Sequence, residues 1–331
     1  MGLRGPERSS NGTQTHDQDQ EQEDLPKRLQ NQSEEHQKPP HARRLAHLKV
    51  PCFFPMDAWH APGGGITFNR RDGWSDRPLA IPCARCIGCK IEKSKQWAIR
   101  CVHESQLHDR NSFLTLTYNE AHLPKDGSLN IRHWQLFAKR LRQRIGPFRF
   151  FHCGEYGEKN HRPHYHACIF GVDFRADQQA FKKQKSSTLY TSKLLEDVWG
   201  KGFCTIGEVT FESAAYVARY LLKKITGDNA AEHYQGRKPE YITMSRNPGI
   251  GSDWFKKYRD DVYPSDEIIY KGRRFRPPRY YDAKLTEEEQ KFIKGKRQQQ
   301  IKKRGKDLTP ERLIVREKVL TAKTKQLDRL I

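Results

Sequence analysis

Two histidines, His164 and His166, stand one residue apart in a stretch from His164 to Phe170 that reads as a β-strand. Strand alternation puts residues two apart on one face, so both imidazoles point the same way. Two neutral imidazoles so placed can share a divalent ion. With 14 histidines in 331 residues an His-x-His triplet arises readily by chance, so the pair gains meaning only from its surroundings. The preceding strand, Phe148 to Cys153, runs into Cys153-Gly154-Glu155-Tyr156-Gly157, and Glu155 can supply a carboxylate to the same centre. Imidazole plus carboxylate suits Mg²⁺ or Mn²⁺ better than a structural zinc.

The second constellation is Tyr216-Val217-Ala218-Arg219-Tyr220-Leu221-Leu222-Lys223-Lys224. On a helix, residues four apart are neighbours, so Tyr216 and Tyr220 share a face. Most such aromatic pairs simply pack. Here the flanking Arg219, Lys223 and Lys224 favour ionisation of a phenol whose ordinary pKa is near 10 and can hold phosphate as well. Basic-flanked tyrosines with a divalent-ion centre are the parts needed to attack a phosphodiester and retain the product covalently.

A third cluster is Cys83-x₂-Cys86-x₂-Cys89, with Cys52 or Cys101 available as a fourth thiolate for a tetrahedral Zn²⁺. Buried free thiols and an iron–sulfur cluster are the competing readings; the Cys-Pro that ends the bacterial ferredoxin run is absent. Cys153, Cys168 and Cys204 lie in strand-like segments and read as small core residues.

These groups need a scaffold. Phe113 to Tyr118 reads as a strand. From Asn130, an N-cap, the apolar residues Ile131, Trp134, Phe137, Ala138, Leu141 and Ile145 follow helical spacing. A hairpin from Phe148 to Phe170, a helix capped by Ser192 and ending near Trp199, a strand from Phe203 to Phe211 and a helix capped by Ser213 complete the order. The fold class expected is α+β: a central antiparallel sheet flanked by helices, with a basic helical C-terminal tail.

The net charge of +21 points to a polyanion, nucleic acid before membrane. No apolar run reaches the ~18 residues of a membrane span, which excludes an integral membrane protein. The absence of an apolar signal-peptide region predicts a cytoplasmic protein with reduced thiols. Residues 1–48, rich in Gln, Glu, His and Arg, are expected to form a disordered arm, 49–282 the catalytic domain, and 283–331 a basic helical tail, weakly packed. In that tail Thr286 and Thr309 read as helix N-caps. Arg273-Arg274-Phe275-Arg276 and Arg279-Tyr280-Tyr281 combine cations with aromatics, which suits stacking on single-stranded DNA, whereas Trp134 reads as core.

The strand from Phe113, the run Arg162-Pro163-His164-Tyr165-His166 and the tyrosine helix from Tyr216 resemble, in order, the three motifs of HUH endonucleases, the rolling-circle replication initiators and their relatives. The chain resembles more closely still the replication initiators of gokushoviruses, small single-stranded DNA phages of the Microviridae. That pattern recurs in Pro82 to Cys89, Gln96 to Cys101, Met244 to Gly251 and Pro277 to Asp282. The resemblance implies that His164 and His166 bind the divalent ion with a third ligand on the neighbouring strand. Glu155 fits that strand, and His152 and Glu158 stay open. It further implies that Tyr216 or Tyr220, in either order, attacks origin DNA to leave a 5′-phosphotyrosine and a free 3′-OH. Arg219, Arg273, Arg274 and Arg279 would contact DNA, and host helicase and polymerase would complete replication in the bacterial cytoplasm. A relaxase or transposase with the same chemistry, or a non-catalytic zinc-containing single-strand binder, are the alternatives.

Overall fold

The computed structural model describes residues 52–157, 160–183, 187–223, 229–303 and 308–327. The arm expected over residues 1–48, and Glu158 among the candidate ligands, lie outside the described residues.

A small sheet comes first, β1 (Met56–His60), β2 (Ile66–Thr67) and β3 (Pro78–Ile81), with β1 in the middle. Helix α1 (Ile87–Ser105) leads into the large sheet: β4 (Asn111–Thr117), helix α2 (Ile131–Ile145), the hairpin β5 (Arg149–Tyr156) and β6 (Pro163–Phe170), β7 (Gln178–Lys183), β8 (Thr188–Ser192), helix α3 (Lys193–Trp199) and β9 (Cys204–Gly207). Helices α4 (Phe211–Lys223) and α5 (Asn229–Tyr234) precede the edge strand β10 (Tyr241–Met244). Then come α6 (Ser252–Val262), the hairpin β11 (Ile268–Tyr270) and β12 (Arg273–Phe275), α7 (Arg279–Asp282), α8 (Glu287–Lys303) and α9 (Pro310–Leu327). The seven strands run β10-β5-β6-β4-β9-β8-β7, each paired antiparallel with its neighbours, so the α+β class with a central antiparallel sheet flanked by helices is what the chain adopts.

Strand alternation divides the side chains between two cores. Leu114, Leu116, Tyr165, Ala167 and Ile169 pack under α2 and α3 with Trp134, Phe137, Leu141 and Trp199. Phe151, Cys153, Cys168 and Phe170 face α1 and α4 with Ile99, Val102, Val217 and Ala218. Each large apolar side chain buried this way contributes about 1.5–3 kcal/mol. β5 and β6 are buried on both faces because both helix layers cover them. Asn130 caps α2, its side chain accepting from the Arg132 N–H at 3.0 Å, and Ser192 caps α3 through Leu195 at 3.1 Å. Ile131, at the first position of α2, is exposed rather than part of its apolar face.

Several expectations change. The strand expected from Phe203 to Phe211 ends at Gly207, because Thr210 starts a helix in which Phe211 is the first residue. The cap of α4 is Thr210 and not Ser213. The Thr210 hydroxyl accepts from the Ser213 N–H at 3.1 Å while the Ser213 hydroxyl accepts from the Thr210 N–H at 2.8 Å, a reciprocal capping box.

The aromatics between Arg273 and Tyr281 are packing residues rather than a base-stacking surface. Phe275 packs on Phe211, and Tyr281 is fully buried with its hydroxyl 2.9 Å from His103 Nδ1. Arg100 is held between the Trp97 and Tyr280 rings and donates to the Ile250 carbonyl at 2.9 Å. Glu104 accepts from the Gly251 N–H at 2.6 Å and pairs with Arg149. Gly251 has φ +75°, and a Cβ there would meet the Tyr281 hydroxyl at 2.6 Å, so glycine is required twice over. Gln96 to Cys101, Met244 to Gly251 and Pro277 to Asp282 are therefore one structural knot around the C-terminal half of α1.

The tail is also more firmly tied than its composition suggests. Ile293, Leu313 and Leu320 are buried. Arg297 bridges Asp266 and Asp282 at 2.6 and 2.7 Å, and Glu289 pairs with Arg259. Charges that read as solvated are engaged in ion pairs with the domain. Thr286 caps α8 as expected, its hydroxyl accepting from the Glu289 N–H at 3.3 Å. No helix among the described residues is long and apolar enough to cross a membrane.

Candidate metal and nucleophile site

The register of the β5–β6 hairpin builds the centre. Glu155 lies opposite His164 and Cys153 opposite His166, so all four side chains share the face turned towards α4. His164 Nε2 and His166 Nε2 each lie 2.7 Å from the same carboxylate oxygen, Glu155 Oε1. The Tyr216 hydroxyl donates to that oxygen at 3.2 Å, and its ring meets His166 edge-on with centroids 5.0 Å apart. The Arg219 guanidinium stands 5.4 Å over the Tyr216 ring. Three groups, two from β6 and one from α4, converge on one oxygen carried by β5.

The outer nitrogens of the histidines are fixed as well. His164 Nδ1 lies 3.0 Å from the Arg162 carbonyl, which can only accept, so Nδ1 carries the proton and the Nε2 of the neutral ring presents a lone pair. A lone pair facing a carboxylate oxygen at 2.7 Å requires a second proton on the ring or a cation between them. His166 Nδ1 lies 3.0 Å from the Thr115 hydroxyl of β4, directly across the ladder. Such outer partners orient metal-binding imidazoles in general. Burial works to raise the Glu155 carboxyl, but the His164 and His166 contacts outweigh it and hold the group below its ordinary value. Burial pushes the His166 imidazole down, against the raising effect of Glu155. The result is an anionic oxygen beside a neutral ring, a donor set that fits a divalent cation with open positions for oxygen ligands.

His152, the alternative third ligand, lies on the opposite face. It is fully buried against Trp134, with centroids 3.7 Å apart, and its Nδ1 is 2.9 Å from the Thr243 hydroxyl. The side chains of Tyr220 and Lys223, and the whole of Lys224, lie outside the described residues. Arg273, Arg274 and Arg279 sit on β12 and α7, elements apart from the Glu155 cluster, and Arg274 pairs with Glu267 at 3.3 Å.

The cysteine cluster forms separately. Cys52, Cys83, Cys86 and Cys89 bring their sulfurs within 4.8 Å of one another. Cys101 is not the fourth member: it is buried with Cys168 in the core beneath α4. Cys153, Cys168 and Cys204 are buried core residues as expected.

Comparison with known proteins points to phage replication. Residues 111–225 match the model of the replication-associated protein ORF2/G2P family, a span that runs from β4 to just past α4 and includes Thr115, Glu155, His164, His166 and Tyr216. The chain is 34% identical over 243 residues to the replication-associated protein VP4 of Bdellovibrio phage phiMH2K, covering 70% of this chain and 75% of that one. This chain belongs to the family of phage replication-associated proteins. Replication-associated protein ORF2 of Spiroplasma virus 4 is 34% identical over 246 residues, with 68% and 75% of the two chains covered. ORF4 of Chlamydia phage 1 is 31% identical over 225 residues, 64% and 56% of the respective lengths. No solved structure matches the chain.

Sequence reasoning about this replication-associated protein missed Thr115 and the Arg162 carbonyl. Thr115 was within reach, since alternation in Phe113-Leu114-Thr115-Leu116-Thr117 sets a hydroxyl on the face away from the leucines. The carbonyl role carries no residue signature.

Proposed function

We propose that the chain is a phage replication initiator that nicks single-stranded origin DNA with a tyrosine and then transfers and reseals the strand. The observation that carries this reading is the convergence of Tyr216, His164 and His166 on Glu155 Oε1. Glu155, His164 and His166 would hold Mg²⁺ or Mn²⁺, which when bound polarises the scissile phosphate as a Lewis acid. The phenol oxygen of Tyr216 or Tyr220 forms the bond to phosphorus as the P–O3′ bond breaks, and the proton the phenol loses is balanced by the one the 3′ oxygen gains. Arg219, beside the Tyr216 ring, offsets negative charge on phenolate and phosphate. Lys223 and Lys224 extend the same basic run, and Arg273, Arg274 and Arg279 add phosphate contacts. The free 3′-OH is then a primer for host polymerase, with a host helicase opening the duplex.

The test uses single-stranded oligonucleotides tiled across the genome that encodes the chain, incubated with full-length protein and Mn²⁺. A covalent protein–DNA band is expected, lost in the Tyr216→Phe/Tyr220→Phe double variant and with His164→Ala. No adduct from any tile, or an adduct undiminished in the double variant, overturns the reading.

A further inference from the structure

We propose that Cys52, Cys83, Cys86 and Cys89 hold one structural Zn²⁺ ion, and that this knuckle is the seat on which the C-terminal helix α9 docks. A tetrahedron of Zn–S bonds about 2.3 Å long has edges of about 3.8 Å. Cys52 Sγ and Cys86 Sγ are 3.9 Å apart, and all four sulfurs lie within 4.8 Å of one another. Two disulfides would draw the sulfurs into pairs about 2.05 Å apart instead. A four-iron cluster would hold its sulfurs around a cube, too wide for this spacing.

The chain delivers the ligands from three directions. β1 and β3 pair with Met56 opposite Ile81, so Cys52 and Cys83, just beyond that pair, emerge at the same end of the ladder. Cys86 is the N-cap of α1, its sulfur accepting from the Cys89 N–H at 3.5 Å, and Cys89 lies in the first turn. The turn from Cys83 to Cys86 passes through the left-handed region at Ala84 (φ 60°). Backbone N–H groups surround the sulfurs: Cys83 N–H donates to Cys52 at 3.1 Å, Cys86 N–H to Cys83 at 3.3 Å and Phe53 N–H to Cys86 at 3.4 Å. Amide donors and a helix N-terminus are what thiolates need when held together against mutual repulsion.

The apolar shell of this knuckle is not part of either sheet core. Phe53, Cys86, Leu313 and Leu320 form their own buried cluster, with Ile87, Ile91 and Leu308 against it. Leu313 and Leu320 belong to α9, where the large aliphatic residues Ile314, Val315 and Val319 are exposed. With so small a core, a bound ion is the natural staple. The knuckle heads α1, and further along α1 the Ser94 hydroxyl donates to the Ala215 carbonyl at 2.9 Å, one residue from Tyr216. The ion thus steadies both α9 and the helix behind the tyrosine.

Full-length protein purified without chelator should carry zinc, measured by elemental analysis, and thiol modification should release one equivalent. The His164→Ala/His166→Ala variant should keep that equivalent, and Cys83→Ser/Cys86→Ser should lose it. Because the serine variant could simply misfold, Co²⁺ substitution of the wild type supplies an independent reading: intense visible bands of a tetrahedral thiolate site, with sulfur-to-cobalt charge transfer. On zinc release, hydrogen exchange should accelerate across Pro310–Leu327 while β4, β5 and β6 stay protected. Iron in place of zinc, no metal with no cobalt thiolate bands, zinc retained by the serine variant, or α9 protection unchanged on release each overturns the proposal. The nicking reading uses different ligands and does not fall with it.

Discussion

Among the described residues, two clusters of three or more His, Cys, Asp or Glu side chains have donor atoms within 4.8 Å of each other, and they are built in opposite ways. At Glu155, His164 and His166 the donors number three, stand on inner strands of a seven-stranded sheet, and have a phenol and a guanidinium beside them. At Cys52, Cys83, Cys86 and Cys89 the donors number four, come from a strand end, a turn and a helix cap, and are wrapped by backbone amides and leucines. Three protein donors leave coordination positions for a substrate, whereas four thiolates close a tetrahedron. The difference also lies in what holds each cluster together. Strand register fixes the first before any ion arrives; the second joins segments that share little other core. An open centre on a rigid sheet suits chemistry, and a closed one on a thin core suits structure.

The sharpest way to break this contrast is to remove ions selectively. Dialysis against a chelator too weak to strip thiolate-bound zinc should abolish adduct formation, and added Mn²⁺ should restore it, with no shift in thermal midpoint. Glu155→Gln keeps the shape but loses the charge that two histidines and Tyr216 address. Adduct yield should fall at least about 100-fold, the upper end of what outer-shell changes cost, because Glu155 belongs to the donor set itself. If chelation lowered the midpoint while Glu155→Gln left the adduct intact, the two clusters would have exchanged roles.

Thr115→Val is a subtler probe of the open centre. It removes the hydroxyl partner of His166 Nδ1 while keeping the β-branched shape that suits β4. A loss of about 10–100-fold in Mn²⁺ affinity or activity is expected, recovered in part at higher Mn²⁺. A loss that no Mn²⁺ concentration relieves would mean that Thr115 acts on something other than the ligand.

How far the sequence revealed each cluster follows from how each is built. His164, His166 and Glu155 were legible because one hairpin carries them and period-two alternation fixes their common face. Discarding His152 needed the register, since a one-residue offset sends a side chain to the other side of the sheet. The fourth cysteine was not legible. Cys52 and Cys101 both sit near the Cys83 run in sequence, and only the β1–β3 ladder brings Cys52 to it while α1 carries Cys101 into the core. The aromatics of Pro277 to Asp282 misled for a related reason. Arginine beside tyrosine looks alike on a DNA-binding surface and in a packed knot, and the partners that decide it, His103, Gly249 and Gly251, lie far away in sequence.

The start of α4 offers the smallest test and bears directly on the open centre, because Tyr216 is delivered by that helix alone. Thr210 and Ser213 satisfy each other's backbone N–H groups at the turn before the tyrosine. Thr210→Ala leaves the Ser213 N–H without its side-chain acceptor and should cost about 1 kcal/mol, the usual worth of such a cap, read as a shift in denaturant midpoint with unchanged slope. The cost should be local. The first turn of α4 is also held by Phe211 in the core and by the Ser94–Ala215 bond, so the helix should fray without leaving the sheet. Adduct yield is expected to drop by less than about tenfold, the rate equivalent of 1.4 kcal/mol. A collapse of adduct formation at so small a cost in stability would show that the aim of the phenol, more than the ion site on the strands, limits the reaction.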